Sequence, residues 1–140
     1  LLQCQVQGEA LTLVMMDVDH FKSINDRFGH GFGDTVLIKM VAVVKQFIRE
    51  ADVFARYGGE EFVLLLPNTD TNEALCLLAD IQKALAIIEF DCADVFFNPA
   101  MSFGVAAYSS DTDIDYLLDR ADKALYRAKQ LGRDRIEVSA

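Results

Sequence analysis

The stretch Val53-Phe54-Ala55-Arg56-Tyr57-Gly58-Gly59-Glu60-Glu61-Phe62-Val63-Leu64-Leu65-Leu66 places two adjacent carboxylates behind two glycines, inside apolar sequence. The apolar runs on either side are strand-like, and a Gly-Gly pair between them is typical of a hairpin connection. Because glycine has no Cβ, Gly58 and Gly59 can take positive φ and let an anionic ligand approach the backbone. The neighbouring acids would repel that ligand unless a cation lay between them. Taken alone, this stretch fits a metal-nucleotide site and a solvated acidic hairpin tip equally well.

A second acidic cluster favours the metal-nucleotide site. The run Thr12-Leu13-Val14-Met15-Met16 has the pattern of a buried strand, and Asp17-Val18-Asp19 follows it directly. Ligands of α/β sheets bind at strand ends, so two acid clusters at such ends can converge on hard cations. The alternative for Asp17 is a helix-capping carboxylate. Asp19 is the better structural candidate of the two acids.

Composition bounds the class of protein. With 140 residues, 52% of them hydrophobic, the chain fits one compact domain with a full core. Thirteen basic residues against twenty-two acidic ones give a net charge of -9, which argues against a general nucleic-acid surface. The odd set of Cys4, Cys76 and Cys92 has no paired metal-ligand spacing, which indicates reduced thiols. No run is long or apolar enough to span a membrane.

Periodicity predicts one α/β sandwich, with helices over a largely antiparallel sheet. Turn-forming residues between positions 25 and 33 predict a broken helix before a long one. The predicted elements are a first strand at 12–16, a long helix from Thr35 to Arg49, the hairpin ending at Pro67, a helix capped by Thr71, a strand from Met101 to Tyr108, a last helix capped by Asp113 and ending near Gly132, and a short strand at Ile136 to Val138.

Four ordered motifs carry a family resemblance. They are Asp17-Val18-Asp19-His20-Phe21-Lys22-Ser23-Ile24-Asn25-Asp26, Phe28-Gly29-His30-Gly31-Phe32-Gly33-Asp34, Arg56 to Phe62, and Ala121-Asp122-Lys123-Ala124-Leu125-Tyr126-Arg127-Ala128-Lys129-Gln130-Leu131-Gly132-Arg133. From about residue 11 to its end, the chain resembles the GGDEF family of bacterial diguanylate cyclases. Its signature is Gly-Gly-Glu-Glu-Phe, a variant that active members use.

The resemblance implies a nucleotidyltransferase that joins two GTP molecules into cyclic di-GMP and releases two pyrophosphates. It implies Asp17, Glu60 and Lys22 as catalytic residues. The implied cofactor is Mg²⁺, two ions per active site with Mn²⁺ as a substitute, held by Asp17, the Val18 carbonyl, Glu60 and Glu61. We expect Glu60 to couple metal binding to deprotonation of the hydroxyl, although adjacent positions in a turn leave the choice between Glu60 and Glu61 open.

The resemblance also implies the substrate-binding residues. Asn25 and Asp34 would read the edge of guanine, and Lys22, Lys129 and Arg133 would bind the triphosphate; Phe21, Gly58 and Gly59 complete the set. From the residues alone, Asn25 is typical of a turn, Asp34 of an N-cap for a helix near Thr35, and exposed Lys or Arg of a solvated face. His30 is interpreted as a structural turn residue.

A regulatory site is predicted at Arg49-Glu50-Ala51-Asp52, which resembles the family's Arg-x-x-Asp product-binding motif. Cyclic di-GMP bound at Arg49 and Asp52 would inhibit the enzyme. The same pattern alone is most often a surface ion pair between positions i and i+3.

The remaining predictions concern the molecule as a whole. The resemblance implies a bacterial cytoplasmic domain, spanning 1–140, cut from a longer chain that has an N-terminal regulatory region and could be attached to a membrane. Catalysis would need a homodimer, because the cyclic product requires two facing sites. Two alternatives stay open: an idle receptor for GTP or cyclic di-GMP, and a cyclase for a mixed or adenine dinucleotide, against which Asn25 and Asp34 argue.

Overall fold

A computed structural model describes residues 10–88, 90, 99–110 and 113–140, and Cys4 and Cys92 lie outside these ranges. The described elements are β1 (Leu11–Val18), α1 (Phe21–Phe28), α2 (His30–Lys45), β2 (Val53–Arg56), β3 (Glu61–Pro67), α3 (Thr71–Ala86), β4 (Met101–Ala107), α4 (Ile114–Gln130) and β5 (Ile136–Val138). No helix formed by these residues has the length and apolarity that crossing a bilayer requires. Cys76 is exposed and is a free thiol.

The strands form one sheet in the order β2-β3-β1-β4-β5. All neighbouring strands are antiparallel except β4 and β5, which are parallel. The largely antiparallel sheet predicted from the sequence is confirmed, and β1 lies at its centre with every residue buried.

Side chains of β1 alternate between two cores, as the period of a strand requires. Val14, Met16 and Val18 face the core that includes the buried residues of α2 and α3. Leu13 and Met15 face the other core, which includes the buried residues of α4. By the same alternation, Asp17 is directed to the face that α4 covers.

Helix α4 lies directly on β4 at Gly104. A Cβ built on Gly104 would stand 2.1 Å from the carbonyl oxygen of Ala121 and 2.3 Å from the nitrogen of Leu125. Only a residue without a side chain allows this approach between two backbones. The approach brings the end of α4 close to the end of β1.

Two helix starts differ from the sequence predictions. Helix α2 begins at His30, so Asp34 lies inside it and is not its N-cap, and the break after α1 falls at Gly29, whose φ is 90°. Asp70, not Thr71, caps α3: its side chain accepts from the Glu73 nitrogen at 2.8 Å, and the Glu73 side chain accepts from the Asp70 nitrogen at 3.1 Å, a reciprocal capping box.

The predicted cap of α4 is confirmed, since Asp113 accepts from the Tyr116 nitrogen at 2.8 Å. The predicted strands after Met101 and after Ile136 are also confirmed.

Candidate active site

The ends of β1 and β3 form one wall of a cleft. Asp17 pairs with Glu61 of β3 and with Ser102 of β4 in the sheet register. Beyond the pairing, the Val18 nitrogen donates to the Glu60 carbonyl oxygen at 3.2 Å. The cleft has a volume of about 270 Å³, and its lining residues are Asp17, Val18, Asp19, His20, Phe21, Lys22, Ser23, Glu60, Lys129 and Arg133.

Seven residues of the predicted site therefore come together in this cleft from β1, α1, the hairpin and α4. They are Asp17, Val18, Phe21, Lys22, Glu60, Lys129 and Arg133. Glu61 is outside the lining but stands directly opposite Asp17 in β3. Cross-strand partners share a face of the sheet, so both acids lie on the α4 side.

Asp17 is a buried carboxylate with one oxygen paired and the other without a partner. Its Oδ2 accepts from Nζ of Lys129, while its Oδ1 is buried and has no hydrogen-bond partner among the described residues. Burial raises the pKa of Asp17 from 3.8 to about 6; the hydrogen bond and charge of Lys129 oppose this rise, and the charges of Glu60 and Glu61 add to it. Around Asp17, the positive charge of Lys129 thus does not balance the negative charges of the three carboxylates.

The side chain of Arg56 is hydrogen-bonded to the carbonyl groups of the glycine loop. Nε of Arg56 donates to the carbonyl oxygens of Gly58 and Gly59, at 3.1 Å each, and Nη2 donates to Gly59 as well. Neither glycine has a positive φ, so that prediction was wrong. A Cβ at Gly59 would meet nothing within 4 Å. The loop therefore leaves open space over its backbone, which a ligand can approach.

Helix α1 starts without help from Asp17. The N-cap of α1 is His20, in the left-handed conformation at φ 56°, and it makes no side-chain cap bond. The capping alternative for Asp17 is therefore wrong. Asp19 instead accepts from Oγ of Ser102 at 2.6 Å and from the nitrogen of Asp134 at 2.9 Å, which confirms it as the structural member of the acid pair.

Asn25 occupies the space that a side chain at Gly33 would fill. A Cβ on Gly33 would lie 1.7 Å from Oδ1 of Asn25 and 3.4 Å from Cζ of Phe21. Oδ1 of Asn25 is buried and has no partner among the described residues. Asn25 is a residue of α1, so the turn interpretation was wrong. Its unpaired amide oxygen lies beside Gly33 of α2, and the next residue of that helix, Asp34, is exposed.

Two predicted cations of the cleft have no partner in the described part of the chain. The side chains of Lys22, on α1, and Arg133, after α4, make no hydrogen bond or ion pair there, whereas that of Lys129 is paired with Asp17. Two unpaired cations beside two carboxylates suit an anionic ligand that carries its own cation.

Arg49 and Asp52 form an ion pair of 2.7 Å between Nη2 and Oδ1. The Asp52 side chain is only 1% exposed, whereas that of Arg49 is 53% exposed. Nη2 of Arg49 also donates to the Pro67 carbonyl at 2.6 Å and to Oγ1 of Thr69 at 3.0 Å. The hydrogen bond to Asp52 raises the pKa of Arg49. The pair joins the segment after α2 to the end of β3.

No group of three or more His, Cys, Asp or Glu side chains within the described ranges is arranged to hold a metal by itself. A divalent cation nevertheless fits the donors of the cleft. Asp17 has a free buried oxygen, and Glu60 and Val18, the residue after Asp17 in β1, line the same space. Mg²⁺ is commonly held by one or two carboxylates together with substrate phosphates, which is a set of this kind.

Comparison with known proteins assigns the family. A family model described as "Diguanylate cyclase, GGDEF domain" matches residues 1–135. Diguanylate cyclase A of Treponema denticola is 41% identical over 134 residues, 94% of this chain and 36% of that relative. The chain thus spans about a third of the length of that curated relative.

Two solved structures share the fold along nearly the whole chain. The GGDEF domain of DgcB from Caulobacter crescentus, in complex with c-di-GMP, has a TM-score of 0.92 and 28% identity, covering 98% of this chain and 82% of its own. The active GGEEF domain of a diguanylate cyclase from Vibrio cholerae has a TM-score of 0.91 and 32% identity, covering 99% and 88%. The chain therefore belongs to the GGDEF domain family and carries the GGEEF form of its signature.

Proposed function

We propose that this domain is a diguanylate cyclase, which joins two GTP molecules into cyclic di-GMP and releases two pyrophosphates. The observation that carries the proposal is the cleft in which Asp17 and Glu60 lie beside Lys22, Lys129 and Arg133. Opposite charges in this arrangement suit a triphosphate and its cation. Membership of the GGDEF family supports the same activity.

The donors in the cleft suit Mg²⁺, and we infer two ions per site with Mn²⁺ as a substitute. Asp17, the Val18 carbonyl, Glu60 and Glu61 would hold them. When bound, the cations supply neutralising charge for the triphosphate and increase the acidity of the attacking hydroxyl. The free Oδ1 of Asp17 provides a ligand position without breaking its contact with Lys129.

Each half of the reaction is attack by a ribose 3′-oxygen on an α-phosphorus. A P–O bond forms to the 3′-oxygen, the bond from the α-phosphorus to the bridging oxygen breaks, and pyrophosphate leaves with that electron pair. Glu60 lines the cleft and takes up the proton of the hydroxyl. Lys22 neutralises charge that develops on the phosphates. Arg133 binds the triphosphate, and Lys129 is shared between the triphosphate and Asp17.

Guanine is recognised by Asn25 and Asp34. The unpaired Oδ1 of Asn25 accepts from an N–H of the base, and its amide nitrogen donates to the guanine carbonyl. The Asp34 carboxylate is exposed one residue after Gly33 and accepts from the remaining N–H groups. Phe21 packs between the cleft and Gly33, and so separates the base from the phosphates.

Catalysis requires two domains. One cleft holds one GTP, so the two 3′-oxygens of the cyclic product come from two facing sites. Proximity then supplies much of the acceleration, because each hydroxyl must be aligned with the opposite α-phosphorus. The rate per domain should therefore rise with protein concentration.

Cyclic di-GMP binds at Arg49 and Asp52 and inhibits the enzyme. Nε and Nη2 of Arg49 are committed to Asp52 and to the end of β3, while Nη1 donates to no group in the described residues. Nη1 is therefore available to donate to a phosphate or to a guanine edge. The ion pair positions Arg49 for this role.

The test is incubation of the purified protein with GTP and Mg²⁺, with products separated by chromatography and identified by mass spectrometry. Cyclic di-GMP that forms with GTP, and not with ATP or in the presence of EDTA, supports the proposal. Clear binding of cyclic di-GMP without any product at high protein concentration identifies a receptor. An adenine-containing cyclic dinucleotide overturns the assignment of guanine to Asn25 and Asp34.

A further inference from the structure

Asp19 is a buried acid whose two oxygens are both used within the protein. It is 7% exposed, and Ser102 beside it is fully buried. Oδ1 accepts from Oγ of Ser102 at 2.6 Å, and Oδ2 accepts from the Asp134 nitrogen at 2.9 Å. The Asp19 nitrogen donates to the Ala100 carbonyl at 2.9 Å. Asp19 thus ties the end of β1 to β4 and to the segment that follows α4.

The backbone of that segment has an unfavourable conformation. Gly132, Arg133 and Asp134 have φ values of 124°, 64° and 46°. For residues with a side chain, a left-handed conformation costs about 1–2 kcal/mol each, so two in succession need an external anchor. Within the turn, the Arg133 nitrogen donates to the Ala128 carbonyl at 2.9 Å, inside the last turn of α4. The Asp134 nitrogen instead donates to a group outside the helix, the side chain of Asp19.

The side chain that this turn presents is Arg133. Arg133 lines the cleft, and its guanidinium makes no hydrogen bond or ion pair within the described ranges. A flexible cation with no local partner is held in place only by its own backbone. The bond from the Asp134 nitrogen to Asp19 fixes that backbone one residue away.

We propose that Asp19 is a positioning residue, which fixes the left-handed turn at Gly132–Asp134 and so holds Arg133 over the triphosphate of the substrate. The inference rests on the proposed function, since it takes GTP as the ligand. Both carboxylate oxygens of Asp19 are hydrogen-bonded within the protein, so we assign it no contact with the substrate. Its contribution is to the affinity for the triphosphate and not to the attack on phosphorus.

The test measures GTP affinity by calorimetry, together with KM and kcat. We expect Asp19→Ala to raise Kd and KM about tenfold, the effect of one charge-assisted contact, with little change in kcat. Arg133→Ala should do the same. The double variant should be no worse than either single variant, because both remove the same contact.

Conservative variants separate positioning from stability. In Asp19→Asn, the amide oxygen can accept from the Asp134 nitrogen while the amide nitrogen donates to Ser102. The affinity of this variant for GTP should therefore be close to that of the wild type. Ser102→Ala removes the other bond and should leave the affinity for GTP unchanged. Should Asp19→Ala fail to fold, Asp19→Leu, which fills a similar space and has no hydrogen-bond acceptor in its side chain, replaces it under the same criteria.

Asp113→Ala is the matched control, because it also removes a hydrogen bond that a backbone nitrogen donates to a carboxylate. It does so at the other end of α4, about 25 Å away for a 17-residue helix. The inference is overturned if Asp19→Ala binds GTP like the wild type or like Asp113→Ala, or if its effect adds in full to that of Arg133→Ala. If the wild type does not bind GTP at all, the proposed function fails instead.

Discussion

Lys129 at the end of α4 donates from Nζ to Oδ2 of Asp17 at the end of β1, across 112 residues of sequence. The contact leaves Oδ1 of Asp17 buried and without a partner among the described residues. Lys129 is therefore the cation paired with a carboxylate on which the negative charges of Glu60 and Glu61 also act. This imbalance makes the cleft a place for additional positive charge.

The raised pKa of Asp17 predicts a pH dependence of stability. Without a cation, burial raises this pKa from 3.8 to about 6. The folded state then holds the proton more tightly than the unfolded state does. The stabilisation from this group is greatest below about pH 4 and is lost as the pH rises through about 6. In urea unfolding with EDTA, the stability of the wild type relative to Asp17→Asn should fall over that range; a difference that is constant with pH would contradict the prediction.

Gly33→Ala should weaken GTP binding. The new methyl group would stand 1.7 Å from Oδ1 of Asn25 and must displace that side chain. We expect Kd for GTP to rise at least about tenfold, since a buried hydrogen-bonding edge is lost. Gly31→Ala is the matched control, because its Cβ would meet nothing within 4 Å. Equal affinities of the two variants would show that Asn25 does not read the base.

Two substitutions separate the structural role of Arg49 from the binding role that we propose for it. Arg49→Ala leaves the Asp52 carboxylate, 1% exposed, without its cation, and should destabilise the fold by about 1–3 kcal/mol. Arg49→Lys keeps the charge beside Asp52 but loses the planar fork. We expect Arg49→Lys to retain most of the stability and to lose affinity for cyclic di-GMP in calorimetry. An unchanged affinity in both variants would refute the product site.

Gly104→Ala should destabilise the domain strongly. Its methyl group would meet backbone atoms of Ala121 and Leu125 at 2.1 and 2.3 Å, and a backbone cannot rotate away. We expect a loss of at least about 2 kcal/mol in denaturant unfolding, at the upper end of overpacking costs. A variant as stable as the wild type would mean that α4 does not lie on β4 as described.

Local patterns predicted the sheet well. The residues of β3 alternate between buried and half-buried along the strand, and β1 is buried throughout, so composition and period alone located both. The start of α2 was predicted five residues late, because glycines at positions 29, 31 and 33 looked like a turn. The structure uses Gly29 for the break and Gly33 for space beside Asn25.

The convergence of the two acid clusters was predicted from the strand ends, but the contacts that α4 and its following turn make with them were not. Asp17 and Lys129 are 112 residues apart, and Asp19 and Asp134 are 115 apart, so no local period connects them. The role of Arg56 on the glycine loop was missed for another reason: it depends on which carbonyls the loop turns towards the guanidinium. An arginine two residues before a Gly-Gly pair was the only signal for it.

The proposed role of Glu60 is tested by comparing the rates of cyclic di-GMP formation by the wild type and by Glu60→Gln, at high protein concentration with saturating GTP and Mg²⁺. We expect a loss of at least about 10²-fold in Glu60→Gln, because the proton acceptor and a metal ligand are removed together. Asp122→Asn, an exposed acid of α4, should retain the rate of the wild type. Formation of cyclic di-GMP by Glu60→Gln at the rate of the wild type would show that Glu60 is neither the proton acceptor nor a required metal ligand.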